Sequence, residues 1–117
     1  MNRILLVDDD LHFRRSLIIH MEMEGYHITG AESPSQALSI LNKCKTENIL
    51  PDVVITDIKM PEMDGRDLAK EIKKKYPGLS IIMISAFDVP ENTLEFPFLK
   101  KPFKIHKFLD IVKEINQ

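Results

Sequence analysis

Three consecutive aspartates, Asp8, Asp9 and Asp10, follow the apolar run Arg3 to Val7, and a fourth, Asp57, follows a second run, Asp52 to Thr56. Ser85 and Lys101 come after two further short apolar stretches. Carboxylates gathered beside a buried element repel one another unless a cation or a shifted protonation relieves them. Two or three aspartate oxygens with several retained waters suit Mg²⁺, a hard ion that prefers octahedral oxygen coordination, with Mn²⁺ able to replace it. Zinc would want histidine or cysteine. A carboxylate beside such a metal can attack a phosphoryl group while a lysine and a hydroxyl bind its oxygens as charge develops. Asp57 is the natural nucleophile, and Lys101 and Ser85 supply the oxygen-binding groups.

These residues can meet only if the intervening chain brings the ends of the apolar runs together. Arg3 to Val7 reads as a strand buried on both faces. Leu11 to Glu24 places Leu11, Leu17, Ile18 and Met21 near helical spacing, and Gly25 stands where a left-handed residue stops a helix. Tyr26 to Ala31 is a second strand. Ser33, Pro34 and Gln36 then give an N-cap, a first-turn proline and a capping-box glutamine for a helix reaching about Lys45. The strand Asp52 to Thr56 delivers Asp57. Leu68, Ala69, Ile72 and Tyr76 stripe a third helix, which Pro77-Gly78 ends before a strand from Leu79 to Ile84. Phe96 to Leu99 is a short fifth strand, and Phe108, Leu109, Ile111, Val112 and Ile115 make a final amphipathic helix. Strict alternation predicts a doubly wound parallel sheet with right-handed crossovers and a site at the C-terminal ends of its strands.

The 117 residues, 44% of them hydrophobic, suit one domain with a real core. A single cysteine, Cys44, has no partner for a bridge, and the four histidines lack zinc-site spacing, so a reduced, cytoplasmic setting is expected. A net charge of −2 offers no basic excess for nucleic acid. No apolar stretch approaches the ~18–20 residues that span a bilayer, and the N-terminus lacks a signal-peptide layout.

Four motifs in order carry a resemblance: Ile4 to Asp10 at the first strand, Asp57 to Gly65 with its Met60-Pro61, Ser85-Ala86, and Lys101-Pro102-Phe103. The chain resembles, over essentially its whole length, the receiver domain of two-component response regulators of the chemotaxis-regulator type. That resemblance implies a flavodoxin-like five-stranded sheet of order 2-1-3-4-5 and a single receiver domain over 1–117. It implies Mg²⁺ held directly by Asp9 and Asp57, by Asp8 largely through water, and by the carbonyl of Lys59. Asp57 would accept a phosphoryl group from a histidine kinase or phosphotransfer protein. Ser85 and Lys101 would bind phosphoryl oxygens, Phe98 would be the aromatic switch, and Lys101-Pro102 a cis peptide. Such a switch phosphorylates and dephosphorylates itself and is not a turnover enzyme. Its downstream partner or output domain is not readable, nor is the choice between a stand-alone regulator and a receiver excised from a longer chain.

Blander roles stand beside these. Asp10 suits a helix N-cap, Asp8 and Asp9 could be solvated turn residues, and Phe98 could be simple core. Gly65 suits a tight backbone after Pro61, and position relative to Pro102 decides between Lys100 and Lys101. One departure concerns the signalling face. Only sixteen positions separate Ser85 from Lys101, and Pro90 and Pro97 interrupt them, so the fourth helix of the family is expected to be reduced. Two other classes remain: a receiver-fold interaction module that takes no phosphate, and a haloacid-dehalogenase-like phosphatase, whose D-x-D pattern Asp8 and Asp10 satisfy.

Overall fold

Residues 3–89 and 95–115 are described in the computed structural model of the chain. The elements follow as β1 (Arg3–Val7), α1 (Leu11–Met23), β2 (His27–Ala31), α2 (Pro34–Thr46), β3 (Val53–Asp57), α3 (Gly65–Lys75), β4 (Ser80–Ser85), β5 (Phe98–Lys100) and α4 (Ile105–Ile115). All strand pairs are parallel, in the order β2-β1-β3-β4-β5. The expected flavodoxin-like architecture is therefore present.

Alternate side chains of the central strands feed two cores. Leu5, Val7, Val54, Ile81 and Met83 pack under α2 and α3 with Leu41, Leu68 and Ile72. Ile4, Leu6, Ile55, Ile82 and Ile84 pack under α1 and α4 with Leu17, Met21, Phe108 and Val112. Burial on both faces explains why these strands read as continuous apolar runs. Leu11 departs from the expected stripe: it opens α1 and stays largely exposed.

Local chemistry sets the helix ends. Asp10 caps α1, its Oδ1 accepting from the amides of His12 at 3.0 Å and Phe13 at 3.1 Å. Gly25, at φ +92°, lets the chain turn away after α1. Ser33 caps α2 by accepting from the Gln36 amide at 3.1 Å, and Gln36 reaches back to the amide of Glu32. Asp64 caps α3 by accepting from the Arg66 amide at 2.8 Å.

β5 begins two residues later than the sequence suggests. Pro97 has no amide to donate, although its carbonyl accepts from Met83 at 2.8 Å, so two-way pairing starts at Phe98. Among the described residues no helix lies between β4 and β5. Pro90, where part of the reduced fourth helix was expected, lies outside the described residues with 91–94.

Candidate functional site

Register brings the polar residues to one edge of the sheet. Val7 pairs with Thr56, so Asp8 follows at the level of Asp57; Asp57 pairs with Ile84, placing Ser85 one step beyond, and Ser85 pairs with Lys100, placing Lys101 next. Carboxylate oxygens of Asp8, Asp9 and Asp57 lie within 4.8 Å of one another. Asp8 is fully buried, Asp57 is 8% exposed and Asp9 faces solvent. This set of hard oxygen donors, open to water on the Asp9 side, fits Mg²⁺ and lacks the nitrogen and sulfur ligands of a zinc site.

Lys101 is the cation among them. Its Nζ donates to Asp8 Oδ2 at 2.6 Å and to Asp57 Oδ2 at 3.3 Å, with the side chain 12% exposed. Burial alone would lower the lysine's pKa, but its hydrogen bond to Asp8 and the charges of Asp8 and Asp57 together outweigh that and raise it. Asp57 moves the other way for a carboxylate. Burial first, and then the charge of Asp8, push it from 3.8 up to about 6, against the pull of Lys101 and the Ile58 amide. The two carboxylates differ in their hydrogen bonds. Asp8 has Lys101 on Oδ2 and the Asp10 amide on Oδ1 at 2.9 Å, whereas Asp57 has the longer lysine contact and the Ile58 amide on Oδ1 at 2.8 Å. Asp57 thus has the longer contact with the lysine. Asp8, enclosed and paired at both oxygens, is badly placed to be the nucleophile that a D-x-D phosphatase requires.

The loop after β3 is held tightly. The Gly65 amide donates to the Ile58 carbonyl at 2.7 Å, and a Cβ on Gly65 would stand 1.9 Å from the Asp57 carbonyl oxygen. Gly65 therefore serves close backbone approach, as its position after Pro61 suggests. Asp9, Ile58, Lys59, Met60, Pro61 and Asp64 line an open cleft beside the carboxylates. Lys59 lies in this cleft, next to the acidic group.

Ser85 is fully buried, and its Oγ accepts from the Phe87 amide at 3.1 Å. Phe98 is half-buried and packs against the core under α2 and α3. Asp10 is the N-cap, and the hydrogen bond from the Phe13 amide, countering a small effect of burial, holds its carboxyl below the usual range. Lys100 points elsewhere, pairing with Asp88 at 2.7 Å. The Lys101-Pro102 peptide is cis.

Three contacts escaped the reading of motifs. The Lys101 Nζ sits 4.1 Å from the ring centroid of Phe13. Arg14 Nη1 donates to the Asp8 carbonyl at 2.6 Å. Glu62, in the loop after β3, accepts from both the amide and the hydroxyl of Ser35 at the start of α2. Phe13 and Arg14 stand within one turn of the Asp10 cap, which is the sole sequence signal that they reach the site.

A parallel α/β sheet of this order with an acidic pocket and a lysine at its C-terminal edge defines a class, and comparison with known proteins agrees. A family model described as the response regulator receiver domain matches residues 4–113. The chain belongs to that family. It is 34% identical to the response regulator receiver protein CpdR of Brucella abortus (strain 2308), covering 100% of this chain and 96% of that protein. Against the transcriptional regulatory protein GlrR of Escherichia coli (strain K12) it is 38% identical over 85% of the chain, but spans only 22% of that longer protein. Among solved structures it is similar to the response regulator TrrA of Thermotoga maritima in complex with Mg²⁺ and BeF, with TM-score 0.84 and 33% identity over 98% of this chain and 99% of that one. A complex of the histidine kinase ThkA with TrrA gives TM-score 0.84 and 31% identity over 100% of both chains. No helix among the described residues is long and apolar enough to cross a membrane.

Proposed function

We propose that the chain, read as one receiver domain over 1–117, is a Mg²⁺-dependent phosphoacceptor switch in which Asp57 takes a phosphoryl group from a histidine kinase or phosphotransfer protein. The observation that carries this reading is the Asp57 carboxylate set beside Asp8 and Asp9 with the Lys101 ammonium 3.3 Å from its Oδ2. In the transfer, an Asp57 carboxylate oxygen bonds to phosphorus, the phosphorus–nitrogen bond of the phosphohistidine breaks, and its electron pair stays on the imidazole nitrogen. The product is an acyl phosphate, and attack of water on it returns Asp57 and inorganic phosphate. Burial and the Asp8 charge disfavour the ionised form of Asp57 in the metal-free site, so a bound cation that offsets them would favour the carboxylate that attacks.

Asp9, Asp57 and the Lys59 carbonyl would hold the ion directly, and Asp8 through water. The bound ion would offset the carboxylate charge and draw in phosphoryl oxygens. Lys101 moves its ammonium from the carboxylates toward the new phosphoryl oxygens, and the Ser85 hydroxyl, now accepting from Phe87, donates to one of them. Ser85 and Phe98 are then the switch residues that report the change to a downstream protein or output domain. The resemblance to TrrA, solved both with Mg²⁺ and BeF and with ThkA, supports the ion and the kind of partner. The cytoplasm, without direct contact to nucleic acid or insertion in membrane, belongs to the same reading.

The test is chemical trapping. After incubation with a small phosphodonor and Mg²⁺, borohydride reduction should convert Asp57 to homoserine, located by peptide mass. Label on Asp8 would favour the phosphatase, and no label at all the inert interaction module.

A further inference from the structure

Two carboxylates account for only part of the surroundings of the Lys101 ammonium. Asp8 Oδ2 lies at 2.6 Å and Asp57 Oδ2 at 3.3 Å, and the ring centroid of Phe13 lies at 4.1 Å, well inside the ~6 Å at which a cation is drawn to an aromatic face. Because the lysine is largely withdrawn from water, this attraction is screened less than on an open surface.

The placement of Phe13 follows from the start of α1. Asp10 caps the helix by accepting from the Phe13 amide, and Arg14 grips the Asp8 carbonyl one residue later, so the first turn of α1 is anchored to the acidic strand end itself. From there the rings continue. Phe13 meets Phe103 edge-on, with centroids 5.9 Å apart at 75°, and Phe103 stacks on Phe108, 5.6 Å away at 21°. Both separations fall within the range of favourable aromatic pairs. Phe108 is fully buried on α4. Phe13 and Phe103 also line an open groove between α1 and α4, together with Ser16, Leu17, His20 and Ile105, which leaves the two rings room to shift.

We propose that Phe13 is a positioning residue for Lys101: its ring holds the ammonium over the site, and through Phe103 and Phe108 it joins that lysine to the buried face of α4. The proposal rests on the phosphoacceptor reading above and adds a second route out of the site. The route through Ser85 and Phe98 leads to the core under α2 and α3. The aromatic route leads to the opposite face of the sheet, where α1 and α4 pack. It becomes a coupling only if both ends respond to one event, which is what must be measured.

The experiment titrates the full chain with Mg²⁺ alone and with beryllofluoride plus Mg²⁺, following amide and lysine side-chain signals by NMR, in wild type, Phe13→Leu, Phe13→Tyr and Phe103→Leu. Leucine keeps bulk but removes the aromatic face, whereas tyrosine keeps it. Phe13→Leu should bind beryllofluoride about 2–30-fold more weakly, the range for losing one cation–ring contact, with Mg²⁺ affinity within twofold of wild type. Phe13→Tyr should match wild type in both. Phe103→Leu should keep beryllofluoride affinity within twofold but lose at least half of the ligand-induced shift changes over Ile105 to Val112. Equal weakening by leucine and tyrosine would overturn the proposal in favour of plain packing, as would a parallel loss of Mg²⁺ affinity. Undiminished shift changes in Phe103→Leu would overturn the aromatic route. Should Phe13→Leu fail to fold, wild type still decides the seat: the Lys101 Hε protons must show an upfield ring-current shift, and ordinary lysine values would contradict it. A wild-type chain that binds Mg²⁺ but no beryllofluoride would sink the phosphoacceptor reading and the coupling with it, while the ring-current result would separately decide the seat.

Discussion

Lys101 Nζ stands 2.6 Å from Asp8 Oδ2, an ion pair across 93 residues of sequence in which the carboxylate is wholly buried and the lysine nearly so. Breaking one side of such a pair leaves an uncompensated buried charge. Lys101→Met, which keeps the aliphatic stem, should therefore destabilise the metal-free protein by about 3 kcal/mol or more. Saturating Mg²⁺ should restore part of that loss. Equilibrium urea unfolding with and without Mg²⁺ checks both, and an unchanged midpoint would show that the pair contributes nothing.

Asp57 should act in the opposite sense. Its folded pKa is raised from 3.8 to about 6, so between those values the folded state holds a proton that the unfolded state has released. Stability of the metal-free protein should thus fall as pH rises from about 4 to about 6, by at most about 3 kcal/mol. Asp57→Asn should remove this dependence and melt several degrees higher than wild type at pH 7.5 without metal. Below pH 4 the two should converge. A lower melting temperature for the variant at pH 7.5 would contradict the electrostatic account.

Asp9 separates metal binding from folding. Its carboxylate joins the cluster from the solvent side, so Asp9→Ala should change metal-free stability by no more than about 0.5 kcal/mol. Mg²⁺ affinity, measured by calorimetry, should fall at least tenfold. If Asp9→Ala bound Mg²⁺ as wild type does, the ion would have to sit elsewhere.

Gly65 offers a steric test. Its added Cβ would meet backbone, the Asp57 carbonyl oxygen at 1.9 Å and the Ile58 Cα at 2.9 Å, and neither can swing aside. Gly65→Ala should cost about 3 kcal/mol and, by shifting Asp57, weaken Mg²⁺ binding as well. Wild-type stability in this variant would mean that the loop relaxes freely.

Most of this architecture was legible in the residues. Five apolar runs and four amphipathic stretches were enough for the strand count and for placing Asp8, Asp9, Asp57, Ser85 and Lys101 at one sheet edge, because a buried parallel sheet leaves only its strand ends for polar chemistry, whereas the order 2-1-3-4-5 came from the family resemblance. Caps at Asp10 and Ser33 were legible because their hydrogen bonds are local. The start of β5 was misplaced because apolar character continues through Phe96, whereas pairing depends on the amide that Pro97 lacks. The Phe13 ring over Lys101 and the Ser35–Glu62 contact were not legible, since each joins segments far apart in sequence and neither residue type announces such a partner. The raised pKa of Asp57 likewise depends on its burial and on the approach of Asp8, which only the folded sheet edge creates.

The central claim is that Asp57 is a phosphoacceptor, and the intact mass of the protein after incubation with phosphoramidate and Mg²⁺ tests it most directly, since that donor carries the same phosphorus–nitrogen bond as phosphohistidine. Wild type should gain the mass of one phosphoryl group, lost on treatment with hydroxylamine, and Asp57→Asn should gain none. A wild-type mass that never changes, or an Asp57→Asn protein that gains the same group, would contradict the account.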